Sequence, residues 1–277
     1  MPSFSLPTVA IIGAGRVGAA LARTLVAAGY PLLGLASRSP AFTRNLAESL
    51  HISISTPADL VHRADLTFLT VPDDVLPLLA TELSLTRPQS GHQAVVHCSG
   101  ALSADVLAPL AAAGWLTGGC HPLAPFASRE SSVPLGITWG IESAEPLRTT
   151  LQHLATNMGG VPLDIRAEDK VLYHAAAVLA ANFAITLAAR AVEVLGLCAI
   201  APEAALAALL PLLRGNLDNL AQVGIPTALT GPLARGDWPT VERHLAALDA
   251  RAPDIAALYR ACVAGTGPLI EKLKAKS

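Results

Sequence analysis

Lys170 and His174 stand four residues apart in DKVLYHAAAVLAANF, residues 169 to 183, an alanine-rich stretch that reads as one helix. That spacing puts the two side chains on one helical face, with Asn182 two turns further on and somewhat around the cylinder. The chain has only four lysines, and the other three, Lys272, Lys274 and Lys276, lie at the C-terminal end. Everywhere else the basic residue is arginine, whose guanidinium stays charged; a single mid-chain lysine therefore points to a task that needs a removable proton. In an apolar crevice its proton affinity falls, and it can hand a proton to a carbonyl oxygen as hydride reaches the carbon. The competing reading is a snorkelling lysine at a helix start beside a satisfied core histidine.

A hydride source is written near the N-terminus. GAGRVG, comprising Gly13, Ala14, Gly15, Arg16, Val17 and Gly18, follows a strand-like run and opens a helical one, as a dinucleotide-binding turn requires. Gly13 allows the tight turn, Gly15 lets backbone N–H groups approach a pyrophosphate, and Gly18 lets the helix pack close to the sheet. The next strand ends in Ser37, Arg38 and Ser39, with no acid to hold a ribose 2′-hydroxyl. Two hydroxyls and a planar guanidinium suit a 2′-phosphate, so the expected cofactor is NADP(H) rather than NAD(H).

Further polar groups end the following strands on the side where such sheets bind ligands. Thr70, Val71 and Pro72 are expected to line the cofactor channel by backbone and shape, while His97, Ser99 and Gly100 offer polar groups to nicotinamide or substrate. His121 ends the strand after that, although a histidine alone is as readily structural as catalytic. His97 adjoins Cys98 and Cys120 adjoins His121, which raises the question of zinc. Adjacent side chains on a strand point to opposite faces, so too few ligands converge, and no metal is expected. Arg235, in the glycine- and proline-rich LTGPLARGDWP, is a candidate clamp for a substrate carboxylate; otherwise that loop simply joins helices.

These groups need a scaffold. Residues 8 to 165 alternate short apolar runs with amphipathic stretches, the pattern of a sheet wound with crossover helices, ending in a mixed edge. Thr56 or Ser55 caps a helix that starts at Pro57, and Asp237 caps another. From residue 166 strand signals vanish and helical periodicity runs to the end. The expected organisation is an α/β dinucleotide-binding domain over 1–165 and an all-α substrate and dimerisation domain over 166–277.

With 277 residues the chain has ample core for two domains. Its formal charge of -2 advertises neither a nucleic-acid nor a membrane partner, leaving small molecules. Four scattered cysteines without a C-x-x-C pair suit free thiols in a reducing compartment. MPSFSLPTVAIIG lacks the pattern of an export signal, so a cytoplasmic protein is expected. Residues 171 to 189 are uncharged and long enough to imitate a membrane span. His174, Asn182 and the dominance of alanine favour instead a buried helix at a subunit interface, and hence a homodimer.

GAGRVG, VPDD, VHCSGAL, CHPLAPF, DKVLYHAAAVLAANF and LTGPLARGD together resemble a bacterial family that joins a Rossmann-like domain to a helical domain of unknown function. Its wider group contains ketopantoate reductases, pyrroline carboxylate reductases and 6-phosphogluconate dehydrogenases, which implies a C-terminal domain of the 6-phosphogluconate dehydrogenase C-terminal-like type. In that group a helix after the Rossmann domain carries a catalytic Lys with an Asn four residues later. Lys170 falls on the Lys position, and His174 stands where the group has Asn. The resemblance suggests ketopantoate as a substrate.

The expected function is NADPH-linked reduction of a small 2-oxo acid, with Lys170 donating the proton. His174, Asn182 and Ser99 position the oxygen atoms, and His121, Gly100 and Arg235 are lesser candidates. A cyclic imine reductase and a non-catalytic NADP(H) sensor are the rivals; the sensor would bind cofactor without consuming it.

Overall fold

The computed structural model describes residues 6–275; the first five residues of the N-terminal stretch read above, and Lys276, lie outside them. The chain divides into two compact units, Met1–Leu179 and Ala180–Ser277.

The first unit is a sheet of eight strands: β1 (Val9–Ile12), β2 (Leu32–Ala36), β3 (Ser53–Ile54), β4 (Leu66–Leu69), β5 (Ala94–His97), β6 (Leu116–Leu123), β7 (Thr138–Ser143) and β8 (Val161–Asp164). Their order across the sheet is β3-β2-β1-β4-β5-β6-β7-β8. Neighbours from β3 to β6 pair in parallel, β6 and β7 are antiparallel, and β7 and β8 are parallel again. The helices are α1 (Arg16–Ala27), α2 (Pro40–Leu50), α3 (Pro57–Arg63), α4 (Leu76–Leu83), α5 (Ala108–Ala112), α6 (Leu147–Asn157) and α7 (Lys170–Ala180). The short edge strand β3 lacks the length for an alternating pattern, so only its neighbours were legible as sequence.

Every residue of β1, β4 and β5 is buried, as expected for strands covered on both faces. Alternation sends Val9 and Ile11 into one core with Phe68, Val96 and Trp139, and sends Ala10 and Ile12 into a second with Leu60, Leu69 and Val95. The turn after β1 is glycine-dependent. Gly13 has φ +116°, and a β-carbon on Gly18 would lie 2.0 Å from the Gly13 carbonyl oxygen, so α1 presses directly on the turn. Thr70 closes it from β4 by donating its hydroxyl to Gly13 O at 2.7 Å. The Thr56 hydroxyl caps α3 by accepting from Asp59 N–H, with Pro57 in the first turn.

The second unit is helical: α8 (Asn182–Gly196), α9 (Pro202–Val223), α10 (Trp238–Arg251) and α11 (Pro253–Lys274). Asp237 caps α10 by accepting from Thr240 N–H. Leu248, Ala252, Ile255 and Ala256 form a small core, against which Val194, Leu197 and Tyr259 pack.

Two differences from the sequence reading concern one stretch. The helix expected over 169–183 is two helices, α7 and α8, separated by Ala181 at φ -108°, ψ -63°. The compact units meet at 179/180 rather than at 165/166. The reason is packing: Lys170 is fully buried beside Glu142 of β7, and Tyr173 bonds His121 of β6, so α7 belongs with the sheet. The stretch Ala167–Gly196 is long and apolar enough by composition to cross a membrane. Lys170 is the one buried residue of α7 and α8, so the burial expected of this helix is not found within the single chain.

Candidate functional site

A cleft of about 640 Å³ opens beyond the carboxyl ends of β1, β2 and β4. Gly13, Ala14 and Gly15 line it from the glycine turn, Ser37, Arg38 and Ser39 from the end of β2, and Val71 and Pro72 from the end of β4. Val75 and Leu79 add apolar wall. Arg16, Val17 and Gly18 are not among the lining residues: Arg16 is exposed, Val17 packs on the core, and Gly18 acts through its closeness to Gly13.

The cleft meets the requirements of a dinucleotide. At Gly15 a β-carbon would find nothing closer than 4.0 Å, so the backbone there faces open space at the start of α1, where N–H groups and the helix dipole favour an anion. Arg38 has no ion pair or hydrogen bond among the described residues and is free to meet a phosphate.

Further along the same sheet edge, β5, β6, β7 and α7 bring together a polar cluster. His121 Nδ1 and Tyr173 Oη are 2.9 Å apart, and the His121 and His174 rings meet edge to face at 6.3 Å. Glycines make the room. A β-carbon on Gly100 would lie 2.6 Å from His174 Cδ2 and 2.9 Å from His121 Nε2, and one on Gly140 would lie 2.6 Å from the Tyr173 hydroxyl. Burial, reinforced by the charges of Lys170, His174 and His97, pushes the His121 imidazole down to about 4. Burial likewise pushes the Tyr173 phenol up to about 12. Both groups are therefore neutral near pH 7.

Behind them lies Lys170, with 0% of its surface exposed. Its Nζ is 3.8 Å from Glu142 Oε2, and a β-carbon on Gly119 would touch it at 3.1 Å. Burial lowers its proton affinity, against the opposing pull of Glu142. Lys170 Nζ, Glu142 Oε2 and His97 Nε2 are all enclosed without a hydrogen-bond partner among the described residues. Glu142 Oε1 accepts from Ala104 N–H, and His97 Nδ1 accepts from Ser99 N–H, so each side chain is held by its other polar atom. Burial, followed by the charge of Lys170, pushes His97 down to about 4.

Residues 5–124 match the Rossmann-like domain family, and residues 137–266 match a domain of unknown function, DUF2520. The chain pairs a Rossmann-like domain with a DUF2520 domain. The fold is also that of protein TM1727 from Thermotoga maritima, at 25% identity and a TM-score of 0.74 over 96% of this chain and 99% of that one. A Bacteroides fragilis protein provisionally named an NADP oxidoreductase has 24% identity and a TM-score of 0.74, covering 94% of this chain and 97% of that one. An imine reductase from Myxococcus stipitatus in complex with NADP+ has 18% identity and a TM-score of 0.67, covering 94% of each chain. No curated protein sequence matches.

The DUF2520 match begins just before β7, so Glu142, Lys170, Tyr173 and His174 lie in it, whereas His97, Gly100 and His121 lie in the Rossmann-like match. The cluster thus joins residues of both families within one compact unit.

Of the residues singled out from sequence, His121, His174 and Gly100 converge at this cluster. Lys170 reaches it from behind. Its Nζ is enclosed, without exposed surface and without a hydrogen-bond partner among the described residues. Ser99 is bonded within its own loop. Its hydroxyl donates to Asp73 at 3.0 Å and accepts from the N–H groups of Ala101 and Leu102, which makes it the brace of the turn after β5. Asn182 and Arg235 belong to the helical unit, where both are exposed.

Sequence reasoning passed over Tyr173, Glu142 and Arg129. Tyr173 follows Lys170 by three residues and so shared its predicted face. Glu142 is a lone acid in the apolar strand TWGIES, a signal that was available. Arg129 lines the cleft from a segment with no regular structure and carried no signal. Among the described residues no cluster of His, Cys, Asp and Glu has the arrangement of a metal site.

Proposed function

We propose that this protein is an NADP(H)-dependent oxidoreductase that reduces the carbonyl group of a small 2-oxo acid. The observation that carries the reading is the alignment, along one sheet edge, of a glycine-turn cleft and a cluster of neutral proton-carrying side chains. NADP(H) fits the cleft because its β2 end offers Ser37, Arg38 and Ser39 and no acid. The Gly13 N–H is spent on Ala36 O, so the backbone N–H groups of Ala14 and Gly15 hold the pyrophosphate, and Arg38 with the two serines takes the 2′-phosphate. When bound, the reduced cofactor supplies the hydride.

The chain's own residues manage the proton. With Tyr173 donating to His121 Nδ1, the proton of that imidazole sits on Nε2, the atom nearest Gly100. We assign His121 Nε2–H as the donor to the developing alkoxide, with Tyr173 replacing the proton through Nδ1 and His174 orienting the same oxygen. Lys170 acts as a positioning group whose charge adds to burial, the larger cause, in keeping His97 and His121 neutral. Ketopantoate is the first 2-oxo acid to test, on the strength of the resemblance.

A cyclic imine is the second reading. It is favoured by the low proton affinity of His121 and the enclosure of Lys170, because an imine that arrives protonated needs no strong donor. Fluorescence titration with NADPH and NADH, then absorbance of the reduced nicotinamide with a panel of 2-oxo acids and cyclic imines, tests both. Consumption on an oxo acid supports the lead, consumption only on imines moves the assignment to the second reading, and binding without consumption points to a sensor.

We also propose a homodimer in the cytoplasm. The helical unit encloses few side chains, while Leu206, Leu210, Leu213, Leu217 and Leu220 of α9 are exposed at helical spacing. Light scattering that gives a monomer mass would overturn the dimer.

A further inference from the structure

The cofactor cleft contains a second guanidinium that its glycine turn and β2 do not supply. Arg129 lines the cleft together with Arg38, although it comes from the segment 124–137 between β6 and β7. That segment has no regular structure but is fastened to α1. Arg23 of α1 donates to the carbonyl oxygens of Arg129 and Ser131 and pairs with Glu130 at 3.1 Å. Val133 N–H donates to Thr24 Oγ1 at 3.0 Å, and the Val133 side chain is buried in the core.

The result is a strap across α1 that delivers Arg129 to the opening turn of α2. There its guanidinium sits 4.9 Å from the centre of the Phe42 ring, three residues beyond Ser39. Ser39 is the residue before α2, and its hydroxyl makes no capping bond, so it is free for a ligand. Neither Arg38 nor Arg129 has an ion pair or a side-chain hydrogen bond among the described residues, and Glu82 is the only acid among those lining the cleft. Two guanidinium groups without ion pairs and a helix N-terminus beside one cleft favour an anion between them.

We propose that Arg129 is the second jaw of a clamp for the ribose 2′-phosphate, with Arg38 the first, and that Arg23 is the positioning residue that sets it. The ligand class is a phosphate monoester dianion, which a planar guanidinium meets with two parallel hydrogen bonds. This rests on the reading of the cleft as an NADP(H) site and adds a specificity determinant from outside the dinucleotide turn. A mobile strap would lose its ordering entropy on binding; fastening at Arg23 and Thr24 removes that cost beforehand.

The test is the ratio of NADH to NADPH dissociation constants, measured by fluorescence for the wild type, Arg38→Ala, Arg129→Ala, Arg129→Lys and Arg23→Ala. Loss of one charge-assisted phosphate contact is worth about 10-fold or more, so Arg129→Ala should weaken NADPH by that factor and leave NADH unchanged. Unchanged NADH binding also shows that the variant is folded. Arg129→Lys should recover part of the loss. Arg23→Ala should lower the ratio in the wild-type background but not in the Arg129→Ala background.

Equal weakening of NADPH and NADH by Arg129→Ala would place Arg129 on a part shared by both cofactors and overturn the proposal. No change with either cofactor would overturn it as well. In both cases a wild type that still prefers NADPH, and loses that preference in Arg38→Ala, leaves the proposed function standing. A wild type that binds neither cofactor removes the proposed function and the clamp together.

Discussion

Lys170 and Glu142 face each other across 3.8 Å in the interior, with side chains 1% and 7% exposed, and one polar atom of each lacks a hydrogen bond. An enclosed pair of this kind stabilises little by itself, because desolvation offsets the attraction. Removing one partner is another matter. Lys170→Met should destabilise the protein by about 3–5 kcal/mol, since it strands the Glu142 carboxylate. Lys170→Met/Glu142→Leu should recover most of that loss. Denaturant unfolding of the wild type, Lys170→Met, Glu142→Leu and the double variant checks the cycle, and additive effects would show that the two residues do not act as a pair.

The buried histidines make stability depend on pH. His97 is held at about 4, below the ordinary value of 6.5, so between those values the unfolded chain binds a proton that the folded one refuses. Its contribution is fully present above about pH 6.5 and is lost as the pH falls towards 4, by at most about 3 kcal/mol. His121 pulls in the same direction. Urea unfolding at pH 7.5 and pH 5 should therefore give the lower stability at pH 5. His97→Asn, whose amide oxygen can replace Nδ1 as the acceptor from Ser99 N–H, should flatten the profile; an unaltered slope would remove His97 as its source.

Tyr173→Phe takes away the hydroxyl 2.9 Å from His121 Nδ1 and leaves the ring in place. If the pair relays a proton, turnover on a carbonyl substrate should fall by about 100-fold with no change in the NADPH dissociation constant. An imine substrate should lose far less. Steady-state kinetics with both substrate classes separates these outcomes.

Cys98 and Cys120 are buried free thiols, and burial raises both, Cys120 to about 12. Neither forms thiolate near neutral pH, so both should resist alkylation in the native protein and label quickly in denaturant. Mass mapping of alkylated peptides checks this, and rapid native labelling of Cys120 would contradict the packing of β6.

Much of the scaffold was legible because it follows from local rules. Buried parallel strands write themselves as short apolar runs, and Gly13 and Gly18 answer steric demands that any other residue would violate. Caps at Thr56 and Asp237 are likewise local chemistry, satisfied within three residues. The face shared by Lys170 and His174 came from helical spacing alone.

What each side chain meets on that face was decided by contacts between residues far apart in sequence. Glu142, His97 and Gly119 enclose Lys170 because β5, β6 and β7 are neighbours in the sheet, and no spacing rule announces which strands will adjoin. The same pairing set His121 against Tyr173, and the strap bonded to Arg23 carried Arg129 to the cleft. Thus the sequence by itself determined the buried strands, the glycine turn and the identity of the polar groups, since these depend on backbone sterics and periodicity. Tertiary structure alone decided which of those groups face the crevice and which are sealed behind it, because desolvation and charge act through space and not along the chain.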